Sequence, residues 1–310
     1  MNVDHVDRQF RLLDWTLAAA LSLTWGSSFL LIAVAIDYLH PTVVPLGRAL
    51  AGALALALFP GAWQPVARQH WMRIAALGLV WMAIPFWLFP LAELSVTSGV
   101  AGMINGGLPI VMALVTSLWV RRIPSKQRIV AITLGFIGII VIVLPAIRAK
   151  SASGVSVADL RGTLLLLVAV TCYAIGANLA RPLQAQFSPP RLLMRVQFAA
   201  ALWTLPFAAM RFDESEFTTT AIGAVVVLGL VGTGLAFAAF GTLLERTGIT
   251  RAMIPTYFTP IVGLVLGATF RDEQITAISV VGMFIVIGSA WMTSRPDERD
   301  VMLIDVKPQS

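Results

Sequence analysis

A chain of 310 residues that is 58% hydrophobic and 12% charged, with a mean hydropathy of +0.84, carries about half the charge of a soluble domain and is not one. The net charge of +6 and pI near 10.2 do not signal nucleic-acid binding, because the basic residues are scattered between apolar runs instead of gathered on one face. One cysteine, Cys172, rules out an intrachain disulfide. His5, His40 and His70 lie outside the apolar runs, so metal spacing and a membrane-embedded catalytic base are both absent, and neither enzyme activity nor a cofactor is expected.

Ten apolar runs follow one another, each close to the roughly 20 residues that a helix needs to cross a bilayer. The first, 14–36, follows Arg8 and Arg11 and carries Trp25-Gly26-Ser27-Ser28-Phe29. Its apolar core is too long for a cleaved signal peptide, and the two serines read as close-packing residues. The second, 42–60, takes in Arg48 a turn or two from its outer end, where snorkelling or a structural pairing is expected. In the third, 71–91, Trp81 and Pro85 are four apart and share a face. Glu93 closes the turn that follows. The fourth, 96–120, holds Met103 and Asn105, then Gly106-Gly107, which loosen the helix ahead of Pro109. The fifth is 127–145.

Residues 146–161 have linker composition. The sixth run, 162–183, bears Tyr173 and Asn178, and the seventh, 192–210, opens with Arg195 and contains Pro206. Thr233 and Phe237 repeat the four-residue spacing on the eighth, 220–243. Pro255, Thr256, Tyr257 and Pro260 lie on the ninth, 249–270, and the tenth is 275–293. A polar tail, 295–310, ends the chain. Trp15, Trp63, Trp71, Trp119 and Trp291 stand near run ends, where an interfacial belt is expected.

The second five runs echo the first. Gly106-Gly107-Leu108-Pro109-Ile110-Val111 returns as Tyr257-Phe258-Thr259-Pro260-Ile261-Val262, and the same offset sets Gly78 on Gly229 and Ala101 on Ala252. A slightly smaller offset pairs Arg48 with Arg195 and Trp25 with Tyr173. An odd number of spans per unit inserts the second copy upside down, the layout of alternating-access carriers. Sixteen of the 22 basic residues then fall on one side and six on the other, so both termini are expected in the cytoplasm. The expected fold is an all-α polytopic membrane protein of ten transmembrane helices in two inverted repeats. Residues 1–145 form the first and 162–294 the second, joined by an extracytoplasmic linker at 146–161 and followed by a cytoplasmic tail at 295–310.

This layout resembles the drug/metabolite transporter superfamily, in its ten-helix EamA branch. The likeness rests on Trp25-Gly26-Ser27-Ser28-Phe29, on the lone Arg48 echoed by Arg195, and on Pro109 and Pro260, the latter followed by Asp272-Glu273 and Gly282. The first half departs from that pattern, with Arg122 for the acid and Ala131 for the glycine. Within the branch the chain is most similar to YddG-type exporters of aromatic amino acids. The resemblance implies a transporter in a bacterial inner membrane, monomeric or homodimeric, whose partners are the bilayer and a small-molecule substrate.

No carboxylate or histidine is expected at membrane depth, which argues against a proton relay and against a cationic-drug pump. Selectivity then falls to rings, amides, hydroxyls and freed backbone groups. The candidate substrate-binding residues are Trp25, Trp81, Pro85, Met103, Asn105, Pro109, Tyr173, Asn178, Thr233, Phe237, Thr256, Tyr257 and Pro260. Aromatic walls with a few donors suit hydrophobic or aromatic amino acids first and uncharged or lipophilic compounds second. A receptor or scaffold would gain nothing from an inverted repeat.

Overall fold

Backbone polar groups have no water to bond at membrane depth, so a chain this apolar can satisfy them only within helices. The computed structural model describes residues 11–121, 123–148 and 159–294, and no strand occurs among them. Arg8, Arg122, positions 149–158 of the expected linker and the 295–310 tail lie outside the described residues.

The described residues form ten rods. They are α1 (Leu12–Ile36), α2 (Val43–Ala57), α3 (Arg68–Glu93), α4 (Ser98–Trp119) and α5 (Lys126–Arg148), then α6 (Leu160–Gln184), α7 (Pro189–Ala209), α8 (Thr219–Thr247), α9 (Ile254–Arg271) and α10 (Ala277–Ser294). Eight of the described helices are long and apolar enough to cross a membrane. The second is shorter than the 42–60 expected, because Phe59-Pro60-Gly61 leaves the helix and Gly61 takes a positive φ of 79°. The ninth starts later than expected, after a separate turn at Ile249–Ala252.

Packing follows the repeat. α1 lies on α8 and α9, and its counterpart α6 lies on α3 and α4. α2 meets α8 as α7 meets α3, while α2–α7, α4–α9 and α5–α10 pair with their own counterparts. Exchanging the two halves therefore maps the contact pattern onto itself. α5 and α10 pack chiefly on each other and turn Val130, Ile140, Val281 and Phe284 outward, as lipid-facing helices do.

Two central rods are interrupted at matching places. Gly78–Ala83 in α3 and Leu230–Leu235 in α8 widen into π-helical turns. Such insertions leave carbonyls without their usual partner and are frequent at functional sites. In α8 the Thr233 hydroxyl donates to the Leu228 carbonyl at 3.0 Å, five residues back. In α3 Pro85, which has no amide hydrogen, follows the wide turn directly. α4 breaks at Gly106–Gly107 and restarts at Leu108, with Pro109 in the first turn, where a missing N–H costs nothing. Pro260 sits instead within the unbroken α9, so the two prolines are related in sequence but not in structure.

Candidate functional site

Where the two halves meet, the helices enclose a cavity of about 1610 Å³. It opens at the end of the bundle that carries the α4–α5 loop, between Arg121, Ser125, Arg181 and Ser294, and runs inward to Ile32, Arg48 and Phe86. By the distribution of basic residues this is the end expected to face the cytoplasm.

The opposite end is closed by polar contacts between the halves. Glu273 accepts hydrogen bonds from Ser98 N at 2.8 Å, Ser98 Oγ at 2.7 Å and Gly99 N at 2.8 Å, capping the start of α4 from beyond the end of α9. Arg271 forms a two-pronged ion pair with Asp37, its Nη2 donating to Oδ1 at 3.0 Å. The His40 amide donates to Ser215 Oγ at 2.9 Å, and the Glu216 amide to the Tyr38 carbonyl at 2.8 Å.

Rings make the walls. Trp25 and Phe240 lie 5.5 Å apart between centroids, Trp81 and Phe237 6.1 Å, and Phe29, Phe89 and Tyr173 form a chain with steps of 5.7 and 6.0 Å. All seven line the cavity. Such pairs add about 0.5–1.5 kcal/mol each beyond area burial, which stiffens the walls. Trp81 can approach α6 because the facing residue is Gly176. A Cβ there would sit 2.5 Å from the Trp81 Cβ.

Of the expected site residues, Trp25, Trp81, Asn105, Pro109, Tyr173, Phe237 and Thr256 line the cavity. The other six are not among the residues that line it. Met103 is buried in the core, and Pro85 is buried in α3 beside the π-helical turn. Asn178 is 4% exposed and donates to the Ala174 carbonyl at 2.9 Å and to Thr116 Oγ1 at 3.1 Å, so that Thr116 is the polar group the cavity meets. Thr233 is fully buried between Arg48 and Leu228. Tyr257 is buried, and Pro260 packs so closely on Gly106 that a Cβ there would lie 2.3 Å from Pro260 Cγ.

Arg48 does not snorkel. It is 9% exposed, its Nε donates to Thr233 Oγ1 at 3.0 Å, its Cζ stands 3.9 Å from the Phe86 ring centre, and it lines the deep end of the cavity. The cavity is therefore not uncharged. Arg195, its sequence counterpart, tethers the α2–α3 loop, donating at 2.7 Å to the carbonyls of Ala62 and Gln64. Glu93 ends α3 with both carboxylate oxygens buried and without a hydrogen-bond partner among the described residues. Ser28 lines the cavity, but its hydroxyl, like that of Ser27, returns to the Thr24 carbonyl. Phe29, Phe86, Phe89 and Phe240 were missed because an apolar ring in a span looks the same in sequence whether it faces lipid or a cavity. The paired π-helical turns had no sequence signal beyond Pro85 and the glycines around Thr233.

Comparison with known proteins points one way. Residues 15–144 and 160–295 match the EamA-like transporter family. The chain is 23% identical to an "uncharacterized transporter" of Archaeoglobus fulgidus, covering 91% of this chain and 98% of that one. It is 25% identical to a "probable amino-acid metabolite efflux pump" of Salmonella typhimurium, over 90% and 94% of the two chains. To a "probable terminal-alkyne amino-acid exporter" of Streptantibioticus cattleyicolor it is 22% identical, over 91% and 93%. A solved crystal structure at 13% identity superposes with a TM-score of 0.61 over 95% of this chain and 99% of the other, which speaks to the fold alone.

Proposed function

From the premise that this chain belongs to the EamA-like transporter family, we propose that it exports small amphipathic metabolites, hydrophobic and aromatic amino acids foremost, from a bacterial cytoplasm. It is a multi-pass membrane transporter. The observation that carries the substrate reading is the ring-lined cavity between the halves, open at one end only, in which no Asp or Glu is among the described lining residues. Rings accept a flat apolar side chain, while Asn105, Thr116 and Thr256 offer amide and hydroxyl groups to the polar end of a zwitterion. The relatives named for efflux or export of amino-acid compounds support the same class.

Alternating access follows from the pseudo-symmetry. Opening the sealed end requires release of the Glu273 and Arg271 contacts and closure of the mouth, with the π-helical turns of α3 and α8 as the places that absorb the bend. No Asp or Glu is among the described residues that line the cavity, so the substrate-bearing cavity itself holds no proton relay. The cavity volume also admits bulkier amphipaths, which favours efflux of lipophilic toxicants as a second reading.

The test is flux through proteoliposomes holding the purified chain, with labelled phenylalanine against a sugar phosphate, with and without a pH gradient. Phenylalanine flux down its gradient, unchanged when the pH gradient is collapsed, is expected. Flux that stops on collapse overturns the uncoupled mechanism, and transport of the sugar phosphate in place of phenylalanine overturns the substrate class.

A further inference from the structure

A guanidinium at membrane depth is costly unless something meets its charge. Arg48 is only partly met. Of its five N–H donors, Nε is spent on Thr233 and one face of the group is covered by Phe86. No hydrogen bond from the terminal nitrogens to the described residues accompanies the Nε bond, and Arg48 lines the deep end of the cavity. Glu93 is the acid whose field reaches Arg48, yet its oxygens bond to nothing described and it does not line the cavity.

The charge on the lining has one sign. Arg48 stands at the deep end and Arg121 and Arg181 stand toward the mouth, and no Asp or Glu is among the described residues of the lining. A walled cleft of one sign concentrates solutes of the other. An organic cation finds repulsion along the whole path, and a neutral amphipath leaves the deepest donors unused. A planar carboxylate, by contrast, matches the terminal fork of a guanidinium two bonds at a time.

We propose that Arg48 is the carboxylate-recognition group of this cavity: the solute docks a carboxylate on its terminal nitrogens and lays an apolar or aromatic body among the rings toward the mouth. The inference rests on the cavity being the transport site, and it narrows the cargo to carboxylates, amino acids included, against amines and uncharged compounds. Thr233 acts as a positioning residue. It sits in the π-helical turn of α8, so its hydrogen bond ties the carboxylate-binding group of the first half to the hinge of the second.

Binding to the purified full chain, read from the fluorescence of Trp25 and Trp81 at the cavity wall or by calorimetry, tests the assignment without requiring transport. The probes are phenylalanine, 3-phenylpropionate, phenylalaninamide and phenethylamine. Phenylalanine and 3-phenylpropionate are expected to bind, with the two carboxylate-free amines weaker by about tenfold or more. R48Q should weaken the carboxylates by about the same factor and leave the amines unchanged. Because R48Q can fail to fold, the series on the unmodified chain stands as an independent arm. Phenylalaninamide binding as well as phenylalanine, or a folded R48Q that keeps its carboxylate affinity, overturns the proposal and makes Arg48 a counter-ion of Glu93. If 3-phenylpropionate binds through Arg48 while phenylalanine is not transported, the export reading falls and the carboxylate site stands. If phenylalanine is transported with no dependence on Arg48, the reverse holds.

Discussion

Thr233 decides more than its single hydroxyl suggests. Its hydroxyl oxygen accepts from Arg48 Nε, and its hydroxyl donates to the Leu228 carbonyl five residues back. Thr233→Val keeps the shape and removes both bonds, leaving the buried Arg48 Nε donor unmet. The expected loss is about 1–3 kcal/mol, seen as a lower thermal midpoint in detergent, with Thr233→Ser restoring most of it. Equal midpoints for Val and wild type would show that the hydroxyl contributes packing only. That Thr233 is polar at membrane depth was legible in the sequence. Its partner, 185 residues away, was not, because hydropathy and spacing report on one helix at a time.

At the scale of elements, the α4–α9 crossing and the cap on α4 hold the halves together. Gly106 faces the Pro260 ring at a separation that leaves no room for a methyl group, and a proline ring cannot rotate away. Gly106→Ala should therefore cost about 1–3 kcal/mol through overpacking, while Gly288→Ala, where a Cβ meets nothing within 4 Å, should be neutral. Melting curves of the two variants make the comparison. The Glu273 cap also bears on which face is open. Glu273→Ala removes three acceptor bonds from the sealed end, so thiol labelling of a cysteine placed at Ile32 should become faster from outside. Unaltered outside labelling would mean that Asp37–Arg271 suffices as the seal. The repeated motif around Pro109 and Pro260 was readable as a repeat. That the two copies would meet each other, with one at a helix break and the other in an unbroken helix, depended on packing.

For the whole molecule, the cavity and the charge distribution make a prediction about sidedness. In a Cys172→Ser background, Thr116→Cys lies on the cavity wall on the way from the α4–α5 loop. A membrane-impermeant thiol reagent should reach it from the cytoplasmic face and not from the other, and tags on the two tails should both be reached from the cytoplasm. Labelling from the outer face alone would invert the assigned orientation.

Hydropathy, the internal repeat and the bias of basic residues determined the helical spans, the two-half architecture and the carrier class, because each is a local or summed property of the chain. Only the tertiary structure decided which rings face the cavity and which face lipid, and that the second-span arginine points inward rather than toward the headgroups. Those outcomes depend on the rotation of each helix against partners far away in sequence. A lipid-facing position and a cavity-facing one can present the same apolar residue, and only packing tells them apart.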